Sequence, residues 1–195
     1  MARINKKSVN LGALEQFMKD LDRKFSIKVG IIGEKAGEKH PNSDLTNVEI
    51  GTIHEFGATI NVTKKMRNYL HSQGLHLKKD TTTIIIPTRS FLRMPLLGHE
   101  GKKELLNVVK TQISNEFKAK ELSPSVANKI LDKTIRLLAE TAYLQILNAF
   151  ESGGFGNWAP ISEFTEKKRY NADNPPLTNT GDLRKSISYE IKEIK

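Results

Sequence analysis

The stretch from Ser123 to Phe150 places the strongest constraint on the fold. Ser123 followed by Pro124 is typical of a helix start, because Ser caps the first turn and Pro loses no hydrogen bond there. Apolar residues then recur at helical spacing up to Gly153: they are Val126, Ile130, Leu131, Leu137, Leu138, Leu144, Ile146, Leu147 and Phe150. Such a helix is about 40 Å long. Its second half is apolar on more than one side, so we expect it to be the central helix.

Strand-like alternation occurs near both ends of the chain. The alternating apolar residues are Ile27, Val29 and Ile31 in the first stretch and Ile187, Tyr189 and Ile191 in the second. A β-branched run over residues 81–86 predicts another strand, closed by Pro87 at its end. Strands at both chain ends around long helices predict the α+β class: a small mixed β-sheet packed against two or three helices, including the long central one.

Further elements follow from the same patterns. Amphipathic helices are predicted over 9–23 and 101–118, and a short helix over 46–55 is stopped by Gly57. The polar residues 34–44 predict a surface loop. The length of 195 residues suits one α+β domain, 1–195, in which we distinguish a basic insert at 58–83 and an irregular, Gly/Pro-rich connection at 152–182.

The net charge of +9 is concentrated in one part of the chain. Residues 64–103 hold nine Lys and Arg residues against Asp80 and Glu100, a net charge of +7. Such a field attracts phosphates or acidic protein surfaces, although a solvated lysine-rich face has the same composition. The residues predicted to form this basic interface are Lys64, Lys65, Arg67, Lys78, Lys79, Arg89 and Arg93.

Composition excludes several kinds of site. With no cysteine, the chain has no disulfide scaffold, thiol chemistry or cysteine-based metal centre. No run of about 18 apolar residues occurs, and the N-terminus lacks a secretory pattern, so we expect a soluble, unexported protein with no membrane partner. Within the basic segment only Tyr69 and Phe91 are aromatic, which argues against base stacking and leaves only attraction to a nucleic-acid backbone.

The sequence also gives little evidence for an enzyme active site. The five histidines include no i, i+4 pair of the zincin type, and His71 and His76 lie five apart across a glycine. His54 and Glu55 adjoin a turn but have no evident nucleophile or metal partner. We therefore predict no catalytic residue, no metal ligand and no cofactor.

Four short stretches in fixed order carry a family resemblance. They are Ile53-His54-Glu55-Phe56-Gly57, then Ile86-Pro87-Thr88-Arg89-Ser90-Phe91-Leu92-Arg93, then Trp158-Ala159-Pro160-Ile161-Ser162 with Thr165 and Lys167-Lys168, and last Pro176-Leu177-Thr178-Asn179-Thr180-Gly181-Asp182-Leu183-Arg184-Lys185-Ser186-Ile187. Together they resemble the tail-completion or virion-morphogenesis proteins of tailed bacteriophages, also known as neck or minor tail components. The similarity extends from about Val29 to Ile191.

The resemblance implies a non-enzymatic structural protein of the virion neck or tail, assembled in the host cytoplasm. It implies a homo-oligomeric ring, sixfold to match a tail tube, that contacts head-completion or connector proteins and tail-tube or tail-terminator proteins. DNA passing through the channel is another candidate partner. Whether the chain is a tail terminator, a tail-completion or a head-completion protein stays open. A non-sequence-specific nucleic-acid-binding module is the alternative.

The motif residues also allow physical predictions. Gly57 is expected to end its helix with a positive φ, and Phe56 to anchor the turn in the core. Phe91 and Leu92 are expected to dock either into a neighbouring subunit or into the chain's own core. For the remaining motifs, we expect Trp158 and Leu183 to pack, Thr180 to cap a helix at Gly181-Asp182, and Arg184 and Lys185 to stay accessible.

Overall fold

The structure is a computed structural model, and it describes residues 25–41, 43–119, 124–170 and 173–194 together with Lys19. The predicted helix over 9–23 lies outside these residues except for Lys19, which is helical and exposed. The described elements run in the order β1 (Phe25–Ile31), α1 (Glu34–Gly37), α2 (Asn47–Phe56), β2 (Ala58–Asn61), α3 (Lys64–Ser72), β3 (Thr83–Ile86), α4 (Arg93–Leu97), α5 (His99–Ala119), α6 (Pro124–Glu151), α7 (Glu163–Glu166), α8 (Asp182–Lys185) and β4 (Ile187–Glu193). The α+β class is confirmed.

The 28-residue helix α6 is the central element, as its sequence predicts. It packs against α5 on one side and against β1 and β4 on another. Its buried residues follow helical spacing and are Ile130, Leu131, Thr134, Ile135, Ala139, Ala142, Gln145, Ile146, Ala149 and Phe150. Leu144 lies outside this stripe and is 54% exposed. No helix in the described ranges combines the length and the apolar character needed to span a membrane.

The sheet differs from the single mixed sheet that we expected. The described strands form two separate antiparallel pairs, β1 with β4 and β2 with β3. The first pair joins the two ends of the described chain, with Ile31 opposite Ile187 and Val29 opposite Tyr189. The second pair joins strands that lie close together in the sequence. An antiparallel pair needs no crossover helix, so each pair forms without sharing a strand with the other.

Residues 58–86, which we call the arm, comprise β2, α3 and β3. The basic insert predicted at 58–83 makes up most of this segment. The two strands pair with each other, and neither they nor α3 pack closely against α5 or α6. Strands of four residues in a two-stranded sheet are marginally stable alone, so the base of the arm must be held by other contacts.

Two hydrophobic clusters lie along α6. The larger surrounds the C-terminal end of the helix and contains Ile31, Phe91, Ile146, Ala149, Phe150, Trp158, Leu183 and Ile187. The ring of Phe150 lies between two others: its centroid is 5.1 Å from that of Phe91 and 6.0 Å from that of Trp158. The smaller cluster has Ile130, Leu131 and Ile135 at its centre, with Phe25 packed against it.

The segment before α2 is more ordered than the surface loop that we predicted for residues 34–44. Its first residues form the single turn of α1, and Lys39 pairs with Thr46 in an isolated antiparallel bridge. Thr46 then caps α2 through a reciprocal capping box with Glu49. Pairing across this short segment satisfies backbone groups that a loop would leave to water.

After α6 the chain turns sharply, and this turn depends on glycine. Gly153, Gly154 and Gly156 all have positive φ angles. Gly154 also lies against the indole ring of Trp158, and a Cβ atom there would come within 2.2 Å of the Trp158 Cδ1 atom. The glycine run therefore both ends α6 and lets Trp158 fold back onto Phe150.

We predict that Gly154→Ala lowers the free energy of unfolding by about 3 kcal/mol, from an unfavourable φ and from the clash with Trp158. Gly156→Ala is the matched control, because its φ is also positive but nothing lies near its Cβ position. We expect a loss of about 1 kcal/mol for this control in urea unfolding. Equal losses for the two variants would show that contact with the indole is not what requires glycine.

Candidate interaction site

The carboxylate of Glu55 joins the first two motifs. Glu55 is buried at the end of α2 and accepts hydrogen bonds from Ser90 Oγ at 2.6 Å and from the backbone N–H groups of Phe91, Leu92 and Arg93 at 2.8, 2.9 and 3.0 Å. Arg93 Nε donates a fifth bond to the same carboxylate at 2.9 Å. These donors belong to the turn that leads into α4. We call this arrangement the Glu55 junction.

The junction keeps Glu55 ionised although it is buried. Burial acts to raise the pKa of Glu55, but the hydrogen bonds from Ser90, Leu92 and Arg93 outweigh it and leave the pKa below its ordinary value. With both carboxylate oxygens accepting bonds, Glu55 has little capacity left to serve as a general base. Its function in this structure is to hold the turn at residues 90–93.

Phe56 and Phe91 have different environments, and the prediction for Phe56 is wrong. Phe91 is fully buried beside Phe150, so it packs in the chain's own core and not in a neighbouring subunit. Phe56 is 59% exposed and carries the Arg93 guanidinium over its ring, 4.3 Å from the centroid. Because Glu55 faces inward to the turn, the next residue of α2 faces outward. Leu92 packs partly buried against the large cluster.

Arg89 connects the second motif to the third. We predicted it to be part of the basic surface, but it is only 6% exposed and belongs to the interior. Its Nε donates to the Ala159 carbonyl at 3.1 Å and its Nη2 to the Pro160 carbonyl at 3.0 Å. Trp158 Nε1 also donates to the Ser90 carbonyl at 3.3 Å. Because Arg89 is buried, these backbone carbonyls take the place of solvent as acceptors for its guanidinium.

The fourth motif packs on the same core. Leu183 is buried, as predicted. The cap of α8 is Gly181 with φ +75°, rather than Thr180, whose Oγ1 lies 3.5 Å from the Asp182 N–H. Glycine takes this position because the backbone there is left-handed. Arg184 is half-buried and pairs with Glu151 at the end of α6, so it is less accessible than predicted, whereas Lys185 is exposed.

The predicted basic surface separates into structural and exposed residues. Arg67 holds the arm together, because its guanidinium donates to the carbonyls of Leu77, Lys78 and Thr81. Arg93, although partly exposed, is paired with Glu55. The exposed basic residues of the arm are Lys64, Lys65, Lys78 and Lys79. These four remain as the candidate basic interface.

The histidines are spread over several elements of the described structure. No group of three or more His, Cys, Asp or Glu side chains is placed there to hold a metal ion. His71 and His76 do meet at the end of α3, with their Nδ1 atoms 2.7 Å apart on the surface. His54 is partly buried; desolvation, helped by the positive charges of Arg89 and His40, lowers its pKa to about 4.

A cleft of about 1310 Å³ opens between the arm and the third motif. Its arm wall is formed by Leu75, Leu77, Ile84 and Ile86, and its other wall by Ile161, Phe164 and Leu177. Lys168 crosses the mouth, where its Nζ donates to Gln73 Oε1 at 2.5 Å. His54 and Arg89 line the inner end. Residues from all four motifs thus line a single cavity.

Sequence reasoning missed the role of Glu55 and the existence of this cleft. The sequence predicts Glu55 as a motif residue and gives no partner for its carboxylate. An acid at a helix end and a later Ser-Phe-Leu-Arg turn nevertheless offer an acceptor and several N–H donors, which is a signal for this pairing. No sequence pattern indicates that Leu75 and Leu77 form one wall of a cleft, because the opposite wall lies about 85 residues away in the sequence.

Comparison with protein-family models, with characterised proteins and with solved structures finds no match for this chain.

We predict that Glu55→Gln lowers the free energy of unfolding by about 3 kcal/mol, because an amide NH₂ would face the N–H donors of the turn. Urea unfolding monitored by circular dichroism measures this change. Glu140→Gln on the exposed side of α6 is the control and should change stability by less than about 0.5 kcal/mol. A small effect at Glu55 would contradict its structural role.

The low pKa of His54 predicts a pH dependence. The folded state disfavours the charged form, so the unfolded chain binds more protons between pH 6.5 and about 4, and stability falls as the pH drops through this window. The loss from this group amounts to at most ~3 kcal/mol. His54→Gln should remove this contribution from the pH profile of stability, whereas His99→Gln, at an exposed position, should leave it unchanged.

Proposed function

We propose that the chain is a structural virion protein of the head-to-tail junction of a tailed bacteriophage. In this proposal it forms a homo-oligomeric ring that completes or terminates the tail and joins it to head-completion proteins. The observation that carries the proposal is the convergence of the four motifs on one structural junction. Glu55, Arg89, Trp158 and Leu183 come from four separate stretches, and each is used for packing or for internal hydrogen bonds.

This use of the motif residues supports an assembly role. A shared set of motifs is ordinarily either a reactive site or a scaffold, and here the polar groups of Glu55 and Arg89 are occupied by backbone partners. What the scaffold presents outward is the arm, with its exposed lysines and the exposed side chains of Tyr69 and Ile85. Exposed apolar and cationic side chains together on one projection suit contact with another protein.

The test reverses charges on the arm. Lys64→Glu with Lys65→Glu, and separately Lys78→Glu with Lys79→Glu, should leave the melting temperature nearly unchanged and reduce the joining of heads to tails, measured as the fraction of joined particles in electron micrographs. Lys102→Glu with Lys110→Glu on the exposed side of α5 is the matched control. Normal joined particles from both arm variants would contradict the role of this surface.

A non-sequence-specific nucleic-acid-binding module is the second candidate, and the four exposed lysines of the arm favour it. Such a module neutralises several phosphates, so the logarithm of its DNA affinity falls steeply with the logarithm of salt concentration. A ring subunit that faces only protein should bind DNA weakly at physiological salt. Titration of duplex DNA at several salt concentrations distinguishes the two.

A further inference from the structure

The cleft between the arm and the third motif has the size of a peptide site. Its volume of about 1310 Å³ exceeds the 300–1,000 Å³ typical of small-molecule pockets. Both long walls are apolar, with half-buried Leu77 and Ile84 on the arm side and Ile161 and Leu177 on the other. An amphipathic segment buries its apolar stripe in a groove of this kind.

Two features of the inner cleft point to a missing partner. The Nδ1 atom of His54 is buried and has no hydrogen-bond partner, although His54 lines the cavity. Leu177, which lines the opposite side, has a φ of +67°, a conformation that is costly for a leucine. Unsatisfied polar atoms and backbone strain tend to cluster at binding sites.

The rim of the cleft is cationic. Lys167, Lys168 and Arg169 stand on it, and Glu163 is the acidic residue among those that line it. Arg169 donates to the carbonyls of Asn174 and Pro175, and Lys168, although exposed, donates to Gln73. Lys167 is exposed. A ligand with apolar anchors and a net negative charge therefore fits both the walls and the rim.

We infer that the cleft binds residues 9–23 of a neighbouring copy of this chain, an inference that rests on the ring assembly proposed above. This segment carries an apolar stripe at helical spacing: Leu11, Leu14, Phe17, Met18 and Leu21. Its charged residues are Glu15, Lys19, Asp20, Asp22 and Arg23, a net charge of −1. The segment thus has the two properties that the cleft requires.

The distance along α6 between Phe25 and the cleft indicates that the docked segment comes from a neighbouring copy and not from the same chain. Phe25 packs beside Ile130, whereas the cleft adjoins the Phe150 end of the helix through Trp158. Twenty helical residues separate these ends by about 30 Å. Phe17 precedes Phe25 by eight residues, which span about 12 Å as a helix and about 27 Å fully extended. The chain's own stripe therefore falls short of its own cleft.

Docking of this kind generates a ring. The donor surface, residues 9–23, and the acceptor cleft are different parts of the protomer, so the interface is heterologous and repeats from each copy to the next. A closed ring results when the rotation from one copy to the next is a whole-number fraction of 360°. This contact also buries one wall of the arm, which the isolated chain leaves partly exposed.

Cross-linking of the full chain tests the location and the direction of docking. Unlabelled and ¹⁵N-labelled protein are mixed in equal amounts, dissociated, reassembled and treated with an amine-specific cross-linker. We expect Lys19 to be linked to Lys167 or Lys168, with about half of these links joining chains of different label. Links between Lys102 and Lys110 within α5 serve as the control and should join residues of one label. Absence of Lys19 links to the rim, or links of one label only, would overturn the inference.

Native mass spectrometry tests the chemistry. Phe17→Asp, and the pair Lys167→Glu with Lys168→Glu, should each raise the subunit dissociation constant about tenfold or more, whereas the pair Lys102→Glu with Lys110→Glu should not. Adding Asp20→Lys and Asp22→Lys to the rim variant should restore assembly. A ring that persists in Phe17→Asp would overturn the docking and leave the proposed function standing. A wild-type chain that is monomeric at every concentration would overturn both.

Discussion

The fold depends on one buried carboxylate that organises a turn 35 residues further along the chain. Glu55 fixes the residues from Ser90 to Arg93, and that turn places Phe91 in the core. Because the arm leaves the body after Glu55 and returns just before Ser90, the same carboxylate holds both ends of the arm. A carboxylate suits this position because both of its oxygens accept hydrogen bonds and its charge strengthens them.

The core extends this arrangement to the rest of the chain. Phe91 packs on Phe150, which closes the long helix, and Trp158 returns to the same ring because Gly154 leaves room for its indole. Arg89 then fixes the segment after Trp158 by donating hydrogen bonds to the carbonyls of Ala159 and Pro160. Four distant stretches are therefore joined by three aromatic rings and two buried charges, and the cleft forms where they meet the arm.

Periodicity in the sequence predicts most helices and strands, because the spacing of apolar residues shows which face of a helix or strand is buried. It predicts α6, the end strands β1 and β4 and the cap at Gly57. It does not predict whether strands share a sheet, since pairing depends on tertiary contacts. Periodicity does not distinguish exposed Phe56 from buried Phe91. It also does not distinguish the surface lysines from Arg67 and Arg89, which donate to carbonyls inside the chain, because residue type alone does not reveal a distant carbonyl or carboxylate partner.

The central claim is that this scaffold serves as a ring subunit at the head-to-tail junction, with its arm turned toward a partner. Electron cryo-microscopy of purified particles from the genome that encodes the chain tests it most directly. The account predicts a ring of density at the neck into which copies of the α6-centred fold can be built, with Lys64 and Lys65 at a subunit contact. Complete, infectious particles that lack this chain would contradict it.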